Sequence, residues 1–330
     1  MLEHGGRIGE AAARWGIPAA DWLDLSTGIA PFPYPVPPVP PACWQRLPED
    51  EDGLDAAAQA CYGAASLLPL PGSQAAIMGL PRLRGAGTAA VLTPAYGEYA
   101  AAWRAAGHRV AAIAVDGLEA AAATADVVML GNPNNPDGLR FPRDRLLAAA
   151  GTLARRGGWL VVDEAFADAE PEQSLAAIAG GGEAPNLVVL RSLGKFYGLA
   201  GARVGFAIAA PALLERLREL VGPWAVANPA RWAARHALAD APWQAMQREH
   251  LNEAAHRLAR LLENAGFGTS AGTALFRYLP TDRAMEIFEA LARQGILVRR
   301  FAEPAALRFG LPGDEAGWRR LEAALRAVAG

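Results

Sequence analysis

Four short stretches carry residues whose types and spacing could do chemistry, and each directly follows an apolar run. In VVDEAF (161–166), Asp163 ends a very apolar segment. An ionised carboxylate there is costly unless a cation pairs with it. In RSLGKF (191–196), Ser192 and Lys195 stand three apart. A desolvated lysine at such a place has a lowered pKa and becomes a nucleophilic amine. In GNPNNPDG (131–138), two Asn-Pro steps and Gly138 make a rigid turn that presents the amide of Asn135. In PGSQ (71–74), Gly72 and Ser73 lead through Gln74 into an alanine-rich helical stretch. Backbone N–H groups at such a start suit a phosphate. Taken singly, each has an ordinary explanation: a capped or paired acid, a lysine that snorkels to solvent, a plain turn, an N-cap.

These residues need elements to hold them, and the chain supplies a repeating pattern. Helical text over 54–63 ends at Gly63, and the run 88–94 reads as a strand. A helix over 97–107 and a strand over 109–115 follow, then a strand over 126–133 and a helix over 143–157. Strands over 159–166, 186–192 and 203–209 complete the series. Short apolar strands alternating with helices predict an α/β architecture, a mainly parallel central sheet with helices on both faces. Ligands in such sheets sit beyond the carboxyl ends of the strands, where the four stretches fall. After residue 210 a helix runs to the Gly222-Pro223-Trp224 break, and 229–265 reads as mostly helical. Strands in GTALFRYLP, GILVRRF and ALRFGLP and a helix over 314–328 predict a smaller α+β domain. The expected division is an N-terminal segment over 1–45 that packs with the small domain, a large cofactor-binding domain over 46–224, and the small domain over 225–330. Residues 7–15 read as a helix stopped by Gly16-Ile17-Pro18. The proline-rich stretch 28–48 can be neither helix nor central strand. Its composition fits a flexible linker, and its aromatics fit an ordered, extended segment on a surface.

The bulk numbers exclude several classes. Of 330 residues, 52% are hydrophobic and 20% charged, with a net charge of −3. A nucleic-acid binder should show a basic excess, and no Lys/Arg cluster exists beyond isolated pairs. Cys43 and Cys61 form neither a CxxC nor a zinc spacing, so no metal site and no disulfide framework are expected. No uncharged apolar run reaches membrane-spanning length, and the first residues have no apolar signal core. A soluble cytoplasmic protein without membrane or nucleic-acid partners is the expectation. GGRIGE precedes any strand, which disfavours a dinucleotide-binding dehydrogenase.

The four stretches together answer the needs of one cofactor. Pyridoxal 5′-phosphate requires an amine for its aldehyde, a carboxylate for its ring nitrogen, a donor for its phenolate and an anion cradle. The ordered set Gly72-Ser73-Gln74, Tyr96, Asn135-Pro136-Asp137-Gly138, Asp163-Glu164-Ala165-Phe166 and Ser192-Leu193-Gly194-Lys195 with Arg203 resembles the fold-type I pyridoxal-phosphate enzymes of the class I/II aminotransferase group. That resemblance covers nearly the whole chain. It implies that Lys195 takes the cofactor aldehyde, Asp163 keeps the ring nitrogen protonated and Asn135 bonds the phenolic oxygen. It also implies that Tyr96 stacks on the ring, while Ser73, Gln74, Ser192 and Arg203 hold the phosphate. Arg308, in LRFGLP, matches the small-domain arginine that takes a substrate anion. Phe166 stands where many relatives have Tyr, and Leu47 where aminotransferase relatives have the Tyr of an Arg-Tyr-Pro motif.

A narrower likeness lies in HGGRIGEAAARWGIP, WLDLSTGIAP, LRSLGKFYGLAGARVGF and GPWAVANPA. These are similar to the threonine-phosphate decarboxylase branch of the cobalamin pathway, whose members begin with a His-Gly-Gly motif. The branch implies a carbon–carbon lyase that converts O-phospho-L-threonine to (R)-1-amino-2-propanol O-2-phosphate, acting as a homodimer. His4, Gly5 and Gly6 offer an imidazole and backbone N–H groups for a substrate phosphate. Arg7, Arg299 and Arg308 are the further candidates for the substrate's anions, with Arg308 assigned to carboxylate and His4 to phosphate. The first rival is an aminotransferase of histidinol-phosphate type, which uses the same cofactor residues. A second is a non-catalytic binding protein that kept the fold.

Overall fold

The computed structural model describes residues 4–329. Twelve strands occur among them: β1 (Leu23–Leu25), β2 (Leu67–Leu70), β3 (Thr88–Leu92), β4 (Arg109–Ile113), β5 (Val127–Gly131) and β6 (Trp159–Asp163), then β7 (Leu187–Ser192), β8 (Gly205–Ile208), β9 (Ala271–Thr273), β10 (Phe276–Pro280), β11 (Ile296–Phe301) and β12 (Ala306–Gly310). They form two sheets, and the chain divides into two compact units, one around each sheet.

The larger unit comprises Pro33–Asn135 and Arg140–Ala245. Its seven-stranded sheet has the order β2-β8-β7-β6-β5-β3-β4. The pairings from β4 through β7 are parallel, and β8 is antiparallel to both β7 and β2. Central strands β5, β6 and β7 are buried along their whole length. Helices on both faces of a parallel sheet demand such continuous apolar runs. β4, at one edge, is mostly exposed. β2, at the other edge, contains Pro69, which has no N–H to give and is tolerated only there. The expected mainly parallel sheet is therefore present, with β2 and a helix over Leu118–Thr124 added to the sequence reading. β3 has β4 on one side and β5 on the other, so successive connections diverge there. That divergence opens a crevice at the carboxyl ends of the strands.

The core of this unit is built from strands and the helices laid on them. The helix Glu98–Ala105 turns Tyr99, Ala102 and Trp103 inward, a 3–4 spacing that puts them on one face. Trp103 is fully buried and its indole N–H points to Met129 Sδ at 3.5 Å. The proline-rich stretch is tied down on this unit: Tyr34 N–H donates to Tyr197 O at 2.9 Å, and Trp232 Nε1 reaches Pro37 O at 3.4 Å. It holds one short helix, Ala42–Gln45, and is otherwise irregular.

The second unit takes the N-terminal residues up to Phe32, Pro136–Leu139 and the chain from Met246 onward. Its sheet has the order β1-β11-β12-β10-β9. β1, which the sequence pattern does not announce, pairs in parallel with β11. The remaining strands are antiparallel. The unit boundaries differ from those expected at 45 and 225. The helix Asn228–Ala239 belongs to the larger unit: it packs on the helix Leu54–Tyr62, and its Arg231 pairs at 2.7 Å with Asp52, just before that helix. The division falls inside the long helix Ala241–Asn264, where composition shows no break.

Candidate active site

In the larger unit, the residues singled out from the sequence collect at the carboxyl ends of β3, β5, β6 and β7 and at the start of the helix Ser73–Gly79. Asp163 closes β6 and is buried. Its Oδ2 accepts from the Tyr99 hydroxyl at 2.7 Å, and its Oδ1 from the Ala165 N–H at 3.0 Å. Burial raises its pKa, opposed by Tyr99, by the Ala165 N–H and by the charge of Lys195. A carboxylate so placed can keep its charge only with donors or cations around it. Lys195 lies in the turn after β7, half-buried, with Nζ 5.8 Å from the centre of the Phe166 ring. Phe166 thus supplies an aromatic wall where a hydroxyl was the expected family feature.

Tyr96 follows β3. Its hydroxyl donates to Gln74 Oε1 at 3.2 Å, and its ring meets Tyr99 edge-on at 5.5 Å. Burial pushes its pKa up to about 12, so it stays a neutral donor at physiological pH. One chain of contacts therefore runs from Gln74 through Tyr96 and Tyr99 to Asp163. The turn after β5 is locked from several sides. Asn134 Nδ2 donates to Pro94 O at 2.9 Å, and Asn132 Oδ1 accepts from the Phe141 N–H at 2.9 Å. These bonds bring the turn that carries Asn135 against the segment that carries Tyr96. Asn135 itself is half-buried.

Gly72, Ser73, Ser192 and Arg203 form the remaining group. Gly72 has φ of +75°, and a Cβ there would lie 2.6 Å from Arg203 Nη2. Only glycine permits both the backbone and the approach. Arg203 is itself left-handed, with φ of +54°, a conformation that costs an L side chain roughly 1–2 kcal/mol and points to a positional demand. Ser192, paired with Gly205 in the β7–β8 ladder, accepts the Gly194 N–H on its hydroxyl at 3.3 Å. The set could hold a phosphate between a glycine turn, two hydroxyls and a guanidinium.

Behind Asp163 lies a cluster that sequence reasoning did not single out. Arg191 meets Glu164 at 2.9 Å and Asp168 at 2.6 Å, all three buried. Ser174 Oγ and the Leu175 N–H donate to Glu164 at 2.5 Å and 2.7 Å. The two carboxylates hold the Arg191 pKa well above its ordinary value. The signal that could have found it is an acid directly after Asp163 and a base directly before Ser192. Tyr99 was missed as well; its only signal is its place three residues after Tyr96.

The second unit gathers a separate group. A cleft of about 210 Å³ is lined by His4, Gly5, Arg7, Ser26 and Arg299 among others. The Gly6 N–H donates to Ser26 Oγ at 2.7 Å, and Arg308 Nη2 donates to Ser26 O at 3.0 Å. A Cβ on Gly5 would come within 2.4 Å of Ser26 O, so the backbones meet only because that residue is glycine. Asp24 Oδ1 accepts from both the Ser26 N–H and its hydroxyl, at 2.9 and 2.6 Å. Ser26 is thus the pivot that joins the His-Gly-Gly motif to Arg308. Arg299 and Arg308 stand directly opposite each other in the β11–β12 ladder. Like charges so placed repel. Burial and Arg299 together push Arg308 down to about 10. Arg7, by contrast, pairs with Glu10 at 2.7 Å.

Fold and site together define a two-unit α/β protein with a lysine after a strand end, a buried acid, and a glycine turn beside a guanidinium. Residues 55–325 match the aminotransferase class I and II family, and the chain belongs to that family. A threonine-phosphate decarboxylase of Pseudomonas aeruginosa is 54% identical over 325 residues, covering 98% of this chain and 97% of its own length. One of a Sinorhizobium species is 44% identical over 98% and 97%. Among solved structures, a histidinol-phosphate aminotransferase of Sinorhizobium meliloti in complex with pyridoxal-5′-phosphate superposes with a TM-score of 0.85. It is 22% identical and covers 99% of this chain and 95% of its own, a likeness of fold.

Proposed function

We propose that this chain is a pyridoxal-phosphate-dependent decarboxylase of O-phospho-L-threonine, forming (R)-1-amino-2-propanol O-2-phosphate for cobalamin synthesis. The observation that carries the substrate reading is the 54% identity, over nearly the whole of both chains, to a threonine-phosphate decarboxylase. The cofactor reading is supported by the chemistry of the strand-end residues: an amine, a buried carboxylate, an amide and an anion cradle, each the partner one part of the cofactor requires. When bound, the cofactor supplies an electron-poor ring that can accept the pair left by a broken bond at Cα.

Lys195 is the residue whose Nζ would hold the cofactor through its aldehyde carbon, and its amine is the group that would move a proton at the substrate Cα. Asp163 would keep the ring nitrogen protonated, Asn135 would donate to the phenolic oxygen, and Tyr96 would stack on the ring. Gly72, Ser73, Gln74, Ser192 and Arg203 hold the phosphate. Arg308 takes the substrate carboxylate and His4, with the Gly5 and Gly6 backbone, the substrate phosphate. Arg299 adds positive charge beside Arg308. Clamping both anions would select which bond at Cα the cofactor's ring can accept electrons from; for a decarboxylase that is the bond to the carboxylate, lost as CO2 and replaced by a proton.

The aminotransferase reading shares every cofactor residue and differs only in which bond the clamp aligns. Incubation with O-phospho-L-threonine separates the two: the proposal expects stoichiometric CO2 and the amino alcohol phosphate. Amino transfer to 2-oxoglutarate without CO2 overturns it. A homodimer is part of the proposal, supported by the exposed Trp44, Leu47 and Trp224 on the larger unit. Sedimentation equilibrium tests it. A cytoplasmic setting is part of the proposal, in keeping with two cysteines, Cys43 and Cys61, that form no disulfide. Among the described residues no helix is long and apolar enough to cross a membrane.

A further inference from the structure

Tyr99 is 3% exposed and its hydroxyl makes the 2.7 Å bond to Asp163 Oδ2. It sits on the inward face of the helix Glu98–Ala105, anchored by Trp103 one turn along, and its N–H bonds back to Tyr96 O at 3.1 Å. Its ring is wedged edge-on against Tyr96. The charged and titratable groups around Asp163 are Tyr99 and Tyr96 from this segment, Lys195 from the turn after β7, and Glu164, the residue that follows β6. Burial and Asp163 hold Tyr99 well above its ordinary pKa, so it remains a proton donor wherever Asp163 is ionised.

We infer that Tyr99 is a positioning residue: its hydroxyl fixes the orientation of the Asp163 carboxylate and withdraws electron density from it, so that the shared proton rests on the cofactor's ring nitrogen rather than on Asp163. The inference rests on the reading of Asp163 as the ring-nitrogen partner. The physical step is short. With the Ala165 N–H on Oδ1 and Tyr99 on Oδ2, each carboxylate oxygen has one lone pair already used. A ring N–H is then the third donor. Each donor to the anion makes the neutral acid less favourable. Removing one shifts the proton toward the carboxylate and weakens the ring as an electron acceptor. Because Tyr99 and Tyr96 share one segment, the same residue couples the group under the ring nitrogen to the group on the ring face.

The test is Tyr99→Phe in the holoenzyme, with cofactor labelled by 15N at the ring nitrogen and followed by NMR, alongside kcat and KM. A hydrogen bond to a charged group is worth enough to change kcat roughly ten- to a hundredfold. The expected result is a 15N shift displaced toward the unprotonated ring, kcat lowered by that factor, and KM within about twofold. Enzyme carrying 3-fluorotyrosine at position 99, a stronger donor of nearly the same shape, moves the 15N shift the other way. A folded Tyr99→Phe holoenzyme with the wild-type 15N shift overturns the inference. So does an unchanged shift in the fluorotyrosine enzyme, which keeps the test alive if the Phe variant does not fold. Asp163→Asn serves as the separate control. Loss of the protonated signal there, with no change in the Tyr99 enzymes, defeats the role of Tyr99 alone. A protonated signal that survives Asp163→Asn defeats the reading of Asp163, and this inference with it.

Discussion

Two arginines are buried to nearly the same degree, Arg191 at 2% and Arg308 at 6% exposure, and their pKa values move in opposite directions. Arg191, in the larger unit, sits between Glu164 and Asp168, and its pKa is driven up. Arg308, in the smaller one, faces Arg299 across the ladder and bonds a carbonyl oxygen, and it is pushed down to about 10. The first guanidinium is neutralised where it lies and holds two strand ends in register behind Asp163. The second lies opposite another cation, and burial with that neighbour lowers its pKa. Burial alone therefore does not distinguish a structural cation from a binding one; the charge it is buried against does.

Breaking the first cation should have the larger effect on the fold. Arg191→Met leaves Glu164 and Asp168 as uncompensated buried acids and is expected to cost about 3–5 kcal/mol. Urea denaturation measures it. Replacing Glu164, Asp168 and Arg191 together by apolar residues of similar volume should recover most of that loss, since no charge is left stranded. If the single variant is as stable as the parent, Arg191 is not the structural partner described here.

Breaking the second should spare the fold and strike binding. Arg308→Met removes one of two opposed charges, so stability should stay within about 1 kcal/mol, while KM for O-phospho-L-threonine rises on the order of a hundredfold, as for loss of a charge-assisted bond. The pH dependence sharpens the point. With its pKa lowered to about 10 from 12.5, the folded state binds fewer protons than the unfolded chain between those values. The stabilising contribution is thus present above the unfolded value and lost as pH falls through about 10, so at neutral pH the charged Arg308 is destabilising. Substrate binding should run the other way, strong at neutral pH and failing as pH rises through about 10. A KM flat through that range removes Arg308 from the anion site.

The smallest effect belongs to a third arginine, Arg7, whose partner Glu10 is exposed. Glu10→Gln should change stability by less than about 0.5 kcal/mol by thermal unfolding. It should also leave KM nearly unchanged. A large rise or fall in KM would put Arg7 among the substrate ligands after all.

The cofactor side of the molecule was legible in the sequence because its residues are local features. Asp163, Ser192, Lys195 and Asn135 each follow a run that must be a buried strand, and in a mainly parallel sheet strand ends converge on one edge. Composition and pattern were enough to list them in order. What the linear pattern could not supply was any partnership across the sheet. β1 has three residues and no alternation to mark it, yet it completes the second sheet through β11. Ser26 looks like one small residue in a turn until the Gly6 N–H and the Arg308 side chain are found on it. Tyr99 reads as one more apolar position of a helix until Asp163 is brought to its hydroxyl from 64 residues away.

The amino-acid sequence by itself determined the strand–helix alternation and the order of the candidate site residues, because apolar runs and turn residues act over a few positions, and its ordered motifs carried the family resemblance. Tertiary structure decided which charges neutralise one another, which stand opposed, and which hydroxyl meets the buried acid. Those are matters of register and packing between distant segments, and the short-range forces that mark a helix or a strand do not encode them.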